Sequence, residues 1–369
     1  MKLFSFWLHE NIVYTTLTIL KGYIFLEKTI SEQDTRIEHP THEIEAAHPL
    51  EDASPSKLGV GKCMQALLKE MRPRQWTKNL AVFIGLVFAG HLFQASSFMR
   101  TALAFVAFCL ASSSIYLIND LLDLEKDRQH PVKRLRPLAS GKLPISWAIG
   151  ALVGLVLCTG IVTAIIFFIP IDSKPDIFAA FGGANLLFTL TIVAYLVLMV
   201  LYSIRLKHVV LLDVFIIASG FVLRIIAGAV VVPVSISPWL YIVTCFLSLF
   251  LAFSKRRHEL VLLQGQASQH RQILKEYSIP MLDQMITIAV TGTIMSYSLY
   301  TIEGSVSHHH LIAITLPLVL YGMFRYLYLV YMRMEGGSPE EVLLRDRHIL
   351  GTVILCVVLI MVVLYALPQ

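Results

Sequence analysis

Residues 118–142 read INDLLDLEKDRQHPVKRLRPLASGK. Three aspartates, a glutamate, six Lys/Arg residues and a histidine crowd together here, directly behind an apolar run of membrane length. Asp120, Asp123 and Asp127 stand at i, i+3 and i+7, so on a helix they share one face, with Asn119 beside them. Three carboxylates on one face repel each other unless a cation sits between them. Oxygen-only ligands suit Mg²⁺, which keeps several waters and binds through one or two carboxylates together with substrate phosphates. The other reading is a solvated helix end whose acids pair with Lys126 and Arg128. A place at the end of a membrane-length run, with a dense basic run beyond, favours the metal. In that basic run Lys133, Arg134 and Arg136 follow His130-Pro131, and Pro137 stops a helix from continuing. Arginine forks match phosphate oxygens, and lysine adds a compact charge. Carboxylates beside such cations suggest a site for a Mg²⁺–diphosphate; ordinary cytoplasmic loop charge explains part of the same run.

Outward from this stretch the chain is apolar. Of 369 residues 56% are hydrophobic and 15% charged, against about 25% charged in a soluble domain. An integral membrane protein of all-α class is expected, because only helices satisfy their own backbone in lipid over runs of this length. Nine candidate spans cover about 79–95, 101–119, 145–170, 176–202, 210–232, 236–254, 283–302, 309–332 and 349–367. Lys and Arg gather in alternate loops: Lys69 to Lys78, Lys126 to Lys142, Arg205 and Lys207, Lys255 to Lys275, and Arg333 to Arg347. The opposite side holds only Arg100 and Lys174. The positive-inside rule then puts the N-terminus and the acidic stretch in the cytoplasm. The net charge of +5 is that loop bias, not a nucleic-acid surface.

Before the spans, residues 1–30 are apolar but interrupted by His9, Glu10, Lys21 and Glu27, which reads as an interfacial helix or, failing that, a disordered extension. No cleavable signal pattern is present. Residues 31–68 read as a flexible linker, acidic from Glu32 to Asp52, and 69–369 as the transmembrane catalytic domain. The five cysteines are isolated, without metal spacing, and read as small buried hydrophobes. His308, His309 and His310 fall on the far side and read as a solvated loop.

The string NDLLDLEKDRQHPVKRLRPLASGKLP, from Asn119 to Pro144, resembles the first aspartate-rich motif, NDxxDxxxD, of the UbiA superfamily of intramembrane prenyltransferases. That resemblance implies nine helices around a central cavity, open to the cytoplasm and sideways to lipid. Prenyl-transferring members carry a second aspartate-rich motif between the sixth and seventh spans. Here that place reads AFSKRRHELVLLQG, Ala252 to Gly265, with Lys255, Arg256 and Arg257 and one carboxylate, Glu259. The sign of the charge is inverted, which favours an anion site. RPRQWTKN (Arg72 to Asn79) and YSIRLKHVVLLD (Tyr202 to Asp213) are, with these two strings, similar to the family's phosphoribosyl-transferring branch.

The resemblance implies phosphoribosyl pyrophosphate as donor, a decaprenyl-type polyprenyl phosphate as acceptor, and Mg²⁺ as cofactor. The metal would sit on Asp120, Asp123 and Asp127 with Asn119. Lys78, Asn79, Lys133, Arg134, Arg136, Lys207, Lys255, Arg256, Arg257 and Glu259 are candidate substrate contacts, with Tyr202 and Asp213 orienting them. Arg224 and Arg325 fall inside expected spans, where a charge is expensive. Arg224 is expected either to reach the substrate or to pack on a buried carboxylate. The bilayer is the expected environment, in a cell membrane with the site facing the cytoplasm; homo-oligomers are compatible with such a chain. Two alternatives remain: a prenyltransferase acting on an aromatic or quinone precursor, and a transporter of anionic metabolites.

Overall fold

The computed structural model describes residues 59–130, 133–171, 177–235, 237–262, 272–303 and 309–366. The interfacial helix expected over 1–30 lies outside them, as does the expected linker up to residue 58. The end of that linker range is helical: α1 runs over Val60–Glu70. A 3₁₀ segment, Pro73–Val82, leads directly into α2 (Phe83–Phe88). Then follow α3 (Ala95–Leu122), α4 (Leu124–Gln129), α5 (Ile145–Ile166), α6 (Ala184–Ile204), α7 (Leu212–Val231), α8 (Pro238–Leu262) and α9 (Ile279–Glu303). The chain closes with α10 (His309–Ile312), α11 (Leu316–Met332), α12 (Pro339–Arg345) and α13 (Arg347–Met361). Among the described residues there is no strand, and eight helices are long and apolar enough to cross a membrane.

The expected first span, 79–95, is not one of the eight. It is wound as the 3₁₀ segment and the short α2. At about 2.0 Å rise per 3₁₀ residue and 1.5 Å per α residue, 73–88 still extends roughly 29 Å. Packing accounts for the tight winding. A Cβ on Gly228 of α7 would lie 2.0 Å from the Val82 carbonyl oxygen, and one on Gly85 2.8 Å from the α7 backbone. Two backbones meet there with no room for side chains.

The buried apolar residues form two main clusters. One joins the 3₁₀ segment and α2 to α3, α6 and α7 through Val82, Leu86, Phe108, Phe188 and Val231. The other joins α7, α8, α9 and α11 through Val214, Phe250, Ile286 and Tyr326. Exposed Val153, Leu157, Ile161 and Phe168 on and just beyond α5 face outward, as a lipid-facing surface requires.

Arg100 overturns a second expectation. It was placed in a loop before a span at 101, but α3 begins at Ala95 and Arg100 is 1% exposed. Its guanidinium donates to the carbonyls of Val231 (2.7 Å), Ile166 (2.9 Å) and Ile169 (2.8 Å), and to Asn185 Oδ1 (2.6 Å). These are the carbonyl ends of α5 and α7 and the start of α6. A cation is favourable at the negative end of a helix, and four partners replace its lost water.

Candidate active site

The acidic stretch begins on α3 and is broken once. α3 ends at Leu122, α4 starts at Leu124, and Asp123 between them takes φ −96°, ψ 8°. The single helical face expected for the three aspartates is therefore kinked at its middle member. Each aspartate meets its own cations. Asp120, 2% exposed, accepts from Arg72 (2.7 and 2.6 Å) and from Arg136 (2.9 Å). Asp127 accepts from Arg136, with Lys133 Nζ 3.8 Å away. Asp123 accepts from Lys207 Nζ at 2.6 Å, and the same ammonium reaches Asn119 Oδ1 at 3.4 Å. Lys207 sits in a 3₁₀ turn after α6, so the YSIRLKH string delivers a cation to the motif across the molecule.

A fourth carboxyl joins them. Glu70, the last residue of α1, is 2% exposed and lies beside the Asp120 carboxylate. Burial first, and the adjacent Asp120 charge second, push its carboxyl up to about 7, against the pull of Arg72 and Arg136. Nothing in the sequence motif names this residue. Its signal was the α1 pattern: Cys63, Leu67 and Glu70 fall on one helical face, so a glutamate occupies a core-facing position. Four carboxyls thus face Arg72, Lys133, Arg136 and Lys207 at the cytoplasmic ends expected for these helices.

The RPRQWTKN string docks onto α3. Arg72 lies over the Tyr116 ring (4.8 Å to its centre), Trp76 Nε1 donates to Ser113 Oγ (3.1 Å), and Asn79 Nδ2 donates to Ser112 Oγ and Cys109 Sγ (3.3 Å each). Asn79 also accepts from Arg224 Nε at 2.7 Å. Arg224 donates further to Gly220 O (2.7 Å) and Tyr195 Oη (3.0 Å), with aromatic faces of Phe108, Tyr195 and Phe221 around it. The two outcomes expected for Arg224 were the substrate or a buried carboxylate. Its partners here are an amide, a carbonyl, a phenol and rings, with no carboxylate among them. Ser112 lies eight residues before Asp120, so this pair sits roughly 12 Å deeper along α3.

The basic string at the expected second motif forms a separate group. Arg256 Nε donates to Asp213 (2.7 Å) and its Nη1 to Glu259; Tyr277 Oη donates to Asp213 at 2.8 Å. Arg257 donates to Asp283 at 2.6 Å and stacks on Tyr331 (4.3 Å), whose hydroxyl also reaches Asp283. Tyr202 lies near the end of α6, half-buried. Carboxylates are therefore present at this position, but Asp213 and Asp283 come from neighbouring helices and the arginines hold them. Lys255 and Arg134 are exposed and Lys78 is half-buried. Arg325 pairs with Asp346 at 2.7 Å, and Asp346 in turn caps α13 through Ile349 N at 2.9 Å. These two residues brace α11 against α13.

Among the described residues no three His, Cys, Asp or Glu side chains converge closely enough to cage a metal. The donor set still fits Mg²⁺, which needs only one or two carboxylates beside phosphate and water oxygens. Four carboxyls and the Asn119 amide supply oxygen alone. A cavity of about 640 Å³, lined by Phe178, Phe181, Val222, Ile226, Val230 and Tyr241, lies between α6, α7 and α8, away from this cluster.

These features define a multi-pass, all-helical membrane protein with a mixed acid–base cluster at the end of the longest helix among the described residues. The UbiA prenyltransferase family model matches residues 79–340, and the chain belongs to that family. The chain is 33% identical over 311 residues to a decaprenyl-phosphate phosphoribosyltransferase of Corynebacterium glutamicum, covering 82% of this chain and 88% of the relative. It is equally 33% identical over 320 residues to the protein of that name from Mycolicibacterium smegmatis, covering 82% and 94%. In fold it is similar to a UbiA homolog from Archaeoglobus fulgidus solved with GPP and Mg²⁺, with a TM-score of 0.59 at 16% identity, covering 80% of this chain and 96% of that one.

Proposed function

We propose that this transferase moves the 5-phosphoribosyl group from phosphoribosyl pyrophosphate to a polyprenyl phosphate, releasing pyrophosphate, at the cytoplasmic face of a cell membrane. The observation that carries the reading is the distribution of charge. One cluster mixes carboxyls with cations around Asp120, Asp123 and Asp127, while the second-motif position has its carboxylates bound by Arg256 and Arg257. The donor brings a diphosphate and a separate phosphate, and the acceptor brings another. One metal-binding cluster with several cations matches that set of anions better than two acidic clusters would. The names of the relatives agree with it.

Asp120, Asp123 and Asp127, with Asn119, would hold Mg²⁺, which supplies charge neutralisation to the departing pyrophosphate. Lys207 and Arg136, which hold these carboxylates in the structure, turn to phosphate oxygens when substrate and metal arrive. Lys78, Lys133 and Arg134 join them. Arg256 and Arg257 reach a phosphate only by releasing Asp213 and Asp283. The bond from the anomeric carbon to pyrophosphate breaks, and a bond to the lipid phosphate oxygen forms on the opposite face. That oxygen is already anionic at neutral pH, so no general base is required, and the cations serve to align it. Asp123→Asn in purified, folded protein is expected to lower ribosyl transfer at least a hundredfold. Near-normal transfer would remove the metal role from the aspartates.

A further inference from the structure

We propose that Glu70 is a direct oxygen ligand of the divalent cation at this cluster, supplied by α1 from outside the aspartate motif. The inference rests on the metal role read above and adds a residue to it. Each aspartate is already paired with a cation: Asp120 with Arg72 and Arg136, Asp127 with Arg136 and Lys133, and Asp123 through one oxygen with Lys207. Glu70 Oε1 is different. It is buried and has no hydrogen-bond partner.

A buried polar atom left without a partner costs about 1–3 kcal/mol, and native proteins keep few of them. Among the described residues such side-chain atoms occur on Glu70, His91 and Thr163. The one on Glu70 is a carboxyl oxygen, and it stands at the acidic cluster. The Glu70 carboxyl touches Asp120, so the two together offer a cation a pair of hard oxygen groups. That number suits Mg²⁺, with phosphate and water oxygens completing its shell. Binding at Oε1 breaks no existing ion pair.

The position of Glu70 is fixed by the fold. Ser113 Oγ of α3 donates to the Met71 carbonyl at 3.1 Å, and Arg72 is bound to Asp120 on α3. The end of α1 is therefore clamped to the helix that carries the motif. A carboxyl kept at 2% exposure in a clamped position is preorganised as a ligand.

The test measures Mn²⁺ binding by the full chain in lipid nanodiscs, counting free Mn²⁺ by electron paramagnetic resonance, with and without inorganic pyrophosphate. Glu70→Gln keeps the shape and removes the charge, and Asp123→Asn serves as comparison. Glu70→Gln is expected to weaken Mn²⁺ binding at least tenfold while still unfolding in one cooperative transition in metal-free buffer. Unchanged affinity in Glu70→Gln with a loss in Asp123→Asn overturns the role of Glu70 and leaves the aspartate site standing. Unchanged affinity in both overturns the two together. If Glu70→Gln does not fold, Glu70→Asp draws the oxygen back by one methylene and must show the loss; wild-type affinity there overturns the proposal.

Discussion

Gly228→Ala is the sharpest test of the arrangement that brings RPRQWTKN to the motif. The new Cβ would stand 2.0 Å from the Val82 carbonyl oxygen and 2.9 Å from its carbonyl carbon. Neither neighbour is a flexible side chain, so the 3₁₀ segment and α7 must part by about 1.4 Å to reach ordinary contact at 3.4 Å. Overpacking of this kind costs about 1–3 kcal/mol, occasionally more. The shift also propagates, since the same segment carries Arg72, Trp76 and Asn79 onto α3. Two controls share the chemistry without the contact. Gly150 on α5 has nothing within 4 Å of its Cβ position, and Gly322 on α11 meets only Thr352 Cγ2 at 3.6 Å. Alanine there gains helix propensity of up to about 1 kcal/mol. Thermal unfolding in detergent, followed by a thiol-reactive dye or by loss of the monodisperse peak, reads all three. Gly228→Ala should melt several degrees below wild type and lose transfer activity; the controls should melt at or above it. A Gly228→Ala protein that melts with the wild type would refute the close crossing and the account of the broken first span.

Three further outcomes are expected. Arg100→Met strips four acceptors of their donor, each costing about 1–3 kcal/mol when left buried; a loss above roughly 3 kcal/mol should appear as a large drop in melting temperature with little change in KM. The Glu70 carboxyl, at about 7 in the folded chain against an ordinary 4.5, makes the folded state hold the extra proton between those values. Stability is then greatest below pH 4.5 and declines as pH rises through 7, and melting temperatures across pH 5–8 should slope less in Glu70→Gln. Lys207→Met removes the donor to Asp123; it should cut ribosyl transfer at least tenfold, seen in initial rates, with melting temperature lowered far less than in Arg100→Met.

Much of the fold was legible in composition. Long apolar runs located α5, α6, α7, α9, α11 and α13 to within a few residues at most of their ends, because hydropathy and the need for internal hydrogen bonds leave only helices. The errors have local causes. α8 was expected to stop at 254, but its backbone runs on to Leu262 through KRRHEL, since charge ends an apolar run without ending a helix. α3 starts earlier than expected because Arg100 is buried by helix ends that no sequence window contains. The 3₁₀ winding of the first segment depends on Gly85 and Gly228, far apart in sequence and joined only by packing.

The site was legible in its residue types and less so in its pairings. Spacing brought out Asp120, Asp123 and Asp127, and the neighbouring run brought out Lys133 and Arg136. That Lys207 crosses from the α6–α7 turn, that Arg72 binds Asp120, and that Arg224 meets Asn79 are tertiary facts. Glu70 lies just past the stretch read as linker, ahead of every motif the spacing brought out. Asp283, Tyr277 and Tyr331, which hold or complete the arginine pairs, carry no motif of their own.

The most direct test of the central claim is the mass of the lipid product. Purified protein in nanodiscs would receive phosphoribosyl pyrophosphate and a polyprenyl phosphate in one reaction, and a prenyl diphosphate with aromatic acceptors in another, each with Mg²⁺. The account predicts a polyprenyl phosphate heavier by one phosphoribosyl group in the first and no product in the second. A prenylated aromatic product in the second, with the lipid phosphate of the first unchanged, would contradict it.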